Sequence, residues 1–235
     1  MDAGLVPAEN SLEGSINITL DTLARSDTLE ISRELVWKVK NFLMTPPQVE
    51  VGSVRKIFSH VQALAQCRKF IRKNFPDAEI ISTTSTARAA ELVADSAENC
   101  AAICTERAGK LNGLVIAAKD IQDNPNNFTR FFEITYRPRD AAPVETFDGD
   151  KVLIICQIDG SRAGSLCDVL QEFAKRGVNM TRIESRPART ILGAYIFFFE
   201  LETDAGNDAL KDSIRAVYDK SIWLKNLGVF PVIHA

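Results

Sequence analysis

Asn126-Asn127-Phe128-Thr129-Arg130-Phe131 runs directly into Phe132-Glu133-Ile134-Thr135-Tyr136. The polar turn before it, Ile121-Gln122-Asp123-Asn124-Pro125, breaks the chain, and the β-branched and aromatic residues that follow read as a strand. A hydroxyl, a guanidinium and two amides therefore sit where a loop enters a strand, a place where a rigid sheet holds reactive groups. Taken alone, an asparagine-rich turn before a strand is an ordinary turn. Its meaning depends on what else the chain carries.

Upstream, residues 3–8 read as a short strand, followed by the polar loop Glu9 to Gly14. Ser15 is placed to cap a helix whose apolar face is Ile16, Leu20 and Leu23. Asn10 and Ser11 lie at the end of that strand, as turn residues or as ligand contacts. Residues 29–44 are strand material broken by Lys38 and Lys40, and a further strand is expected near residues 54–58. Ser59 and Gln62 form a Ser-x-x-Gln capping box, with Val61, Leu64, Cys67 and Ile71 on one helical face and Gln66 on another. Such a helix start caps itself, or offers free amides to a carboxylate. A second hydroxyl cluster, 82–86, contains Ser85 and Thr86 ahead of a helix over 87–95 that buries Leu92 and Val93. Residues 101–103 and 113–116 read as buried strands. Alternating strands and helices to about residue 136 predict an α/β domain with largely parallel sheets.

Residues 137–150 are polar and contain Pro138, Pro143 and Gly149, the composition of a linker. A second pattern follows: a strand at 151–157, a helical stripe of Leu166, Val169, Leu170 and Phe173 stopped by Gly177, and strands at 178–184 and 194–201. A second stripe of Leu210, Ile214 and Val217 and a last strand at 222–232 close it. The order βαββαβ is a ferredoxin-like unit.

The net charge of −3 gives no basic field for nucleic acid, and no apolar run approaches the roughly 20 residues of a membrane span. Neither nucleic acid nor membrane is expected as a partner. No basic stretch followed by an apolar core opens the chain, so no signal peptide is read there. Of five cysteines, Cys100 and Cys104 are spaced i, i+4, which on a helix puts both on one face. No further Cys or His lies near them to complete a tetrahedral metal set, so buried thiols in a reducing cytoplasm are expected.

Four segments in order complete the reading: Val6-Pro7-Ala8-Glu9-Asn10-Ser11-Leu12-Glu13-Gly14-Ser15, then Ser59-His60-Val61-Gln62-Ala63-Leu64-Ala65-Gln66-Cys67, then Asn127-Phe128-Thr129-Arg130-Phe131, then Glu184-Ser185-Arg186-Pro187 with Tyr195-Ile196-Phe197-Phe198 beyond it. Together they resemble the prephenate dehydratases, and the last resembles the phenylalanine-sensing ACT-type domain attached to those enzymes. The resemblance implies a two-lobed catalytic domain, similar to periplasmic binding proteins, with ligand in the cleft. It implies boundaries at 1–137 for that domain, 138–150 for a linker and 151–235 for the ACT domain. It also implies decarboxylating dehydration of prephenate to phenylpyruvate, in a cytoplasmic homodimer or homotetramer with L-phenylalanine as effector and no metal or organic cofactor.

On this reading Thr129 assists the departing hydroxyl, and Asn10, Ser11, Ser59, Gln66, Ser85 and Thr86 bind substrate. Arg130 either faces a substrate carboxylate or pairs with a nearby acid, and Phe131 packs. Gly164, Ser165 and Leu166, with Glu184, Ser185, Arg186 and Pro187, form the phenylalanine site. The chain departs from the family in three places. Val61 stands where the family has proline, and the family's histidine near Asn41 is missing. The family's opening strand and Gly-Pro-x-Gly-Thr-Phe loop do not precede Glu9. A lobe without that strand is expected to leave an unpaired edge at residues 3–8 and weak order over 1–45. The remaining readings are arogenate dehydratase, or an impaired fragment that only binds an amino acid.

Overall fold

The computed structural model describes residues 3–138, 148–190, 193–204 and 206–235. Most of the expected linker, at 139–147, lies outside the described residues. The chain divides into two compact units, one of Met1–Trp37 with Phe128–Ala235, the other of Lys38–Asn127.

In the first unit, β1 (Ala3–Asn10) and β9 (Phe128–Tyr136) pair antiparallel, with Asn10 opposite Thr129 and Glu9 opposite Arg130. The two-residue strand β2 (Gly14–Ser15) covers the other side of β1 only at Glu9 and Asn10. With β3 (Leu29–Lys38) and the C-terminal β14 (Val232–His234), they form a sheet in the order β14-β3-β9-β1-β2. Helix α1 (Asn17–Arg25) buries Leu20 and Leu23. Ser15 does not cap it as expected. The N-cap is Ile16, without a side-chain bond, because Ser15 is held in β2 opposite Glu9.

The C-terminal pattern has the expected order. Strand β10 (Lys151–Ile158), α6 (Ser165–Ala174), β11 (Met180–Pro187), β12 (Tyr195–Glu202), α7 (Asn207–Tyr218) and β13 (Ser221–Phe230) give a sheet ordered β11-β12-β10-β13. That is the ferredoxin-like arrangement. One face of this sheet packs on its own helices through Val152, Ile154, Val169, Phe173, Phe199 and Leu210. The other face shares a core with the first sheet. There Leu153, Ile155, Phe198 and Phe230 meet Ala8, Leu20, Leu23, Ile31 and Phe132. Gly228, at φ +124, makes that approach possible, because a Cβ there would lie 2.6 Å from the Ile31 carbonyl oxygen. This shared core explains why residues 3–38, part of the stretch expected to be weakly ordered, form three strands and a helix: their apolar face is covered by the C-terminal sheet, while the strand Phe42–Thr45 packs within the second unit.

The second unit is built on the sheet β6-β5-β7-β4-β8, formed by β4 (Phe42–Thr45), β5 (Lys56–His60), β6 (Glu79–Thr83), β7 (Cys100–Cys104) and β8 (Val115–Ala118). Strand β5 runs parallel to β6 and β7, while β4 is antiparallel to β7 and β8, so the sheet is mixed rather than largely parallel. Helices α2 (Val61–Gln66), α3 (Arg68–Asn74), α4 (Thr86–Ala94) and α5 (Glu106–Leu111) complete it. Two helical faces differ from the periodicity. Val61 is 64% exposed while Ala63 is buried, because the helix restarts at Cys67 and turns its stripe. Helix α4 buries Ala89, Ala90 and Val93, with Leu92 only half-buried.

Candidate active site and regulatory pocket

The β1–β9 register decides which side chains of β9 share a face. Successive side chains of a strand point to opposite faces, so Thr129 and Arg130 cannot serve the same side of the sheet. Asn10, directly across from Thr129, donates from Nδ2 to the Thr129 hydroxyl oxygen at 3.1 Å and to the Phe128 carbonyl at 3.2 Å. Its Oδ1 accepts from the backbone N–H groups of Leu12 and Glu13, at 3.0 and 3.2 Å, and these donors fix which way the amide faces. A hydroxyl whose oxygen accepts such a bond is polarised and becomes a better donor through its own proton. Ser11 is tied to the neighbouring backbone in both directions: its N–H donates to the Phe128 carbonyl at 2.9 Å, and its Oγ accepts from the Phe128 N–H at 2.9 Å. It clamps the start of β9, next to Thr129.

Arg130 points to the other face, toward the shared core, with Cζ 5.9 Å from the Phe132 ring centre. Its guanidinium is enclosed by three carboxylates. Nε and Nη2 donate to both oxygens of Glu34 at 2.7 Å, Nη1 donates to Glu9 at 2.8 Å, and Nη2 also reaches Glu200. Lys151 donates to Glu200 at 2.9 Å, as does the Thr181 hydroxyl at 2.8 Å. Of the two roles the sequence leaves open for Arg130, pairing with acids is the one this geometry displays. Burial alone would lower the Arg130 pKa, but the Glu34 and Glu200 carboxylates outweigh it and raise it. Burial likewise pushes the Glu200 carboxyl up, and the Arg130 and Lys151 charges reverse this and hold it at about 2. Phe132, not Phe131, is the ring sent into the core, where it meets Phe230 at 5.9 Å between centres.

In the second unit the polar residues form a neutral set. Gln66 Oε1 accepts from the side-chain amides of Asn127 at 3.0 Å and Asn41 at 3.4 Å. Asn127 and Asn41 are buried, and the Gln122 side chain takes the Asn41 N–H at 3.0 Å. With its oxygen occupied, Gln66 has its Nε2 group to offer as donor. Ser59 is not at a helix end. It lies fully buried in β5 and donates to the Ile103 carbonyl at 2.5 Å, while His60 is the cap, accepting from the Gln62 N–H through Nδ1 at 3.3 Å. The expected capping box is thus displaced by one residue, because β5 extends to His60. Ser85 caps α4 by accepting from the Arg88 N–H at 3.0 Å, and Thr86 is the first helical residue.

The cysteines behave as packing residues. Cys100 and Cys104 share a strand rather than the helix that their spacing allowed, and both are buried. Burial pushes the Cys67 thiol up to about 12 and those of Cys104 and Cys156 to about 11. Cys167 is exposed, contrary to the expectation of buried thiols.

In the C-terminal unit, Gly164 is the N-cap of α6 at φ +85, a left-handed conformation that favours glycine. Gly164, Ser165 and Leu166 line a pocket of about 270 Å³ together with Arg162, Tyr195 and Phe197. Glu184, Ser185, Arg186 and Pro187 do not line it. They lie on β11, where Glu184 accepts from the Ser15 hydroxyl at 2.5 Å and pairs with Arg182. Arg186 Nε lies 2.8 Å from Asp21 Oδ1 of α1. Burial would raise the Glu184 pKa, but the Ser15 hydrogen bond and the Arg182 charge lower it. Glu9, Glu34, Lys151, Arg182 and Glu200 were not singled out from sequence. For Glu200 a signal existed: a glutamate inside the apolar run Phe197-Phe198-Phe199-Glu200-Leu201 needs a buried partner.

An α/β part joined to a ferredoxin-like unit with a glycine-capped pocket defines the class, a two-part α/β protein with a C-terminal ferredoxin-like domain. The family model of prephenate dehydratase matches residues 1–139 and that of the ACT domain matches residues 152–217. The chain belongs to the prephenate dehydratase family. It is 36% identical over 98% of its length to the bifunctional chorismate mutase/prephenate dehydratase of Aquifex aeolicus, and spans 61% of that protein. It is 34% identical to the prephenate dehydratase of Methanocaldococcus jannaschii, over 97% of this chain and 81% of that one.

Among solved structures, the prephenate dehydratase of Arthrobacter aurescens in complex with L-Phe is similar at a TM-score of 0.82 and 35% identity. The match covers 98% of this chain and 75% of that one. GqqA, described as a novel type of quorum quenching acylase, is similar at a TM-score of 0.84 and 27% identity, over 98% of this chain and 82% of that one.

Proposed function

We propose that the chain supplies prephenate dehydratase activity, converting prephenate to phenylpyruvate under feedback by L-phenylalanine, as a cytoplasmic homo-oligomer. The observation that carries this is the Thr129 hydroxyl, held by an Asn10 amide whose own orientation is fixed by two backbone donors. In the reaction the ring carboxylate leaves as carbon dioxide and its bonding electrons enter the ring. The ring hydroxyl departs and takes up one proton to become water. Thr129 donates a hydrogen bond to that hydroxyl, and the bond strengthens as negative charge develops on the oxygen. Asn10 positions Thr129. Within the second unit, Gln66 through Nε2 and the start of α4 at Ser85 and Thr86 present donors of the kind a carboxylate takes. Ser11 and Ser59 hold backbone, and Arg130 holds the sheet. Catalytic residues 1–137, linker 138–150 and ACT residues 151–235 remain the proposed division.

The pocket at Gly164, Ser165 and Leu166 is proposed to take L-phenylalanine, with Glu184-Ser185-Arg186-Pro187 of a second copy closing it. The relative from Arthrobacter aurescens, solved with L-Phe, supports this effector. The test is turnover by the purified full chain, with phenylpyruvate measured from prephenate and phenylalanine measured from arogenate in parallel. Phenylpyruvate from prephenate, suppressed by L-phenylalanine but not by alanine, is expected. Turnover of arogenate alone, or of neither substrate, overturns the assignment.

A further inference from the structure

A continuous run of charged side chains joins the regulatory strand to the catalytic strand. On β11, Arg182 pairs with Glu184 and donates to the Ser15 hydroxyl at 2.6 Å. Its other nitrogen, Nη1, lies 3.6 Å from Glu9 Oε2. That same Glu9 oxygen accepts from Arg130 on β9 at 2.8 Å. The Arg130 and Arg182 side chains are 17% and 12% exposed, so water screens this run weakly. Ser15, which donates to Glu184, is also the backbone partner of Glu9 in the β1–β2 register. Glu9 is followed in β1 by Asn10, the residue that holds Thr129. Two links, one ionic and one through the short β2 strand, therefore converge on Glu9.

We propose that Arg182 and Glu9 form a relay through which the state of the ACT strand β11 sets the position of Asn10 and Thr129. The relay rests on the dehydratase and effector reading above and deepens it by naming the residues that carry the regulation. Both are positioning residues: neither touches substrate, and both act through Asn10 and Arg130. A shift of β11 that lengthens the Arg182–Glu9 pair releases β1. The Asn10 amide then moves relative to Thr129, and small misplacements of a catalytic group are costly to rate. Coupling of this kind requires the two ends to bias one structural element, here the β1–β9 pair.

The experiment follows amide hydrogen exchange of the β9 segment, residues 128–136, in the full chain with and without saturating L-phenylalanine, with saturation set by calorimetry. Wild type is compared with Arg182→Gln and Glu9→Gln, which sit at opposite ends of the pair. In wild type, L-phenylalanine is expected to change β9 exchange and suppress turnover. In each variant, L-phenylalanine is expected to bind while both responses are lost. An unchanged β9 segment in wild type overturns the relay, as does a wild-type response in either variant. Loss of L-phenylalanine binding in both variants overturns it too, because the two residues would then belong to the ligand site. Absence of prephenate turnover in wild type sinks the dehydratase reading alone, since the exchange readout does not use turnover. Absence of L-phenylalanine binding by wild type sinks the effector reading and the relay with it.

Discussion

The two units hold their polar residues by opposite means. In the first, Arg130 is enclosed by Glu9, Glu34 and Glu200, which come from three different strands, one of them in the ACT sheet. In the second, Gln66, Asn41 and Asn127 hold one another through neutral amides. Removing one partner of a buried ion pair leaves an uncompensated charge, whereas a lost neutral hydrogen bond costs far less. The charged arrangement is therefore open to regulation, pH and mutation in a way the amide arrangement is not. It is also the arrangement that touches the ACT sheet.

The sharpest way to break this contrast is Arg130→Met. Glu34 and Glu200 would keep Lys151 as their cation, with Glu200 also keeping the Thr181 hydroxyl, and a loss of about 3–5 kcal/mol in the first unit is expected. Both tryptophans, Trp37 and Trp223, belong to that unit, so their fluorescence during chemical denaturation reports it alone. A variant as stable as wild type would mean that the carboxylates do not need the guanidinium.

Thr129→Ala should leave that denaturation curve unchanged and lower turnover by about 100- to 1000-fold, the typical cost of about 2.7–4 kcal/mol for one lost transition-state donor. Undiminished phenylpyruvate formation would remove the hydroxyl from the mechanism. Together the two variants separate the faces of β9, one carrying chemistry and the other carrying stability.

Acid should act on the first unit through Glu200. Its folded pKa is held at about 2, below the ordinary 4.5, so between those values the unfolded chain binds more protons. The stabilisation is present above pH 4.5 and is lost as pH falls toward 2, by up to about 3 kcal/mol. The amides of Gln66, Asn41 and Asn127 take up no proton in that window. Exchange protection of β9 should therefore fall with acid in a way that Glu200→Gln abolishes. Identical acid profiles for wild type and variant would count against the coupling of Glu200 to β9.

The smallest effect is expected from Asn127→Ala in the second unit. Gln66 would lose one of its two amide donors, at a cost of about 1–2 kcal/mol, without pH dependence. Slowed or unchanged exchange of the Val39 and Ile121 amides, which donate to the Asn127 and Asn41 carbonyls, would show that the amide set contributes nothing to that unit.

The sequence by itself determined the local and the periodic. The βαββαβ order was legible because each strand and helix buries one face and the apolar spacing records which. The Thr129 strand was legible because turn residues announce it. The ordered motifs at Asn10, Gln66, Thr129 and Glu184 carried the family. What only the tertiary structure decided is which polar groups meet across long stretches of chain. Ser59 looked like a cap but is buried in β5, because strand length is set by pairing with β6 and β7. Arg130 could be read as a substrate contact or as the partner of an acid, and it lies in a nest of acids, because the pleat turns it away from Thr129 and the ACT sheet brings Glu200 to it. Arg182 carries no motif at all, and its meeting with Glu9 depends on how two sheets stack over one core. Periodicity records whether a side chain is buried, not what it is buried against, and a charge pair between residues 9 and 182 leaves no spacing to read.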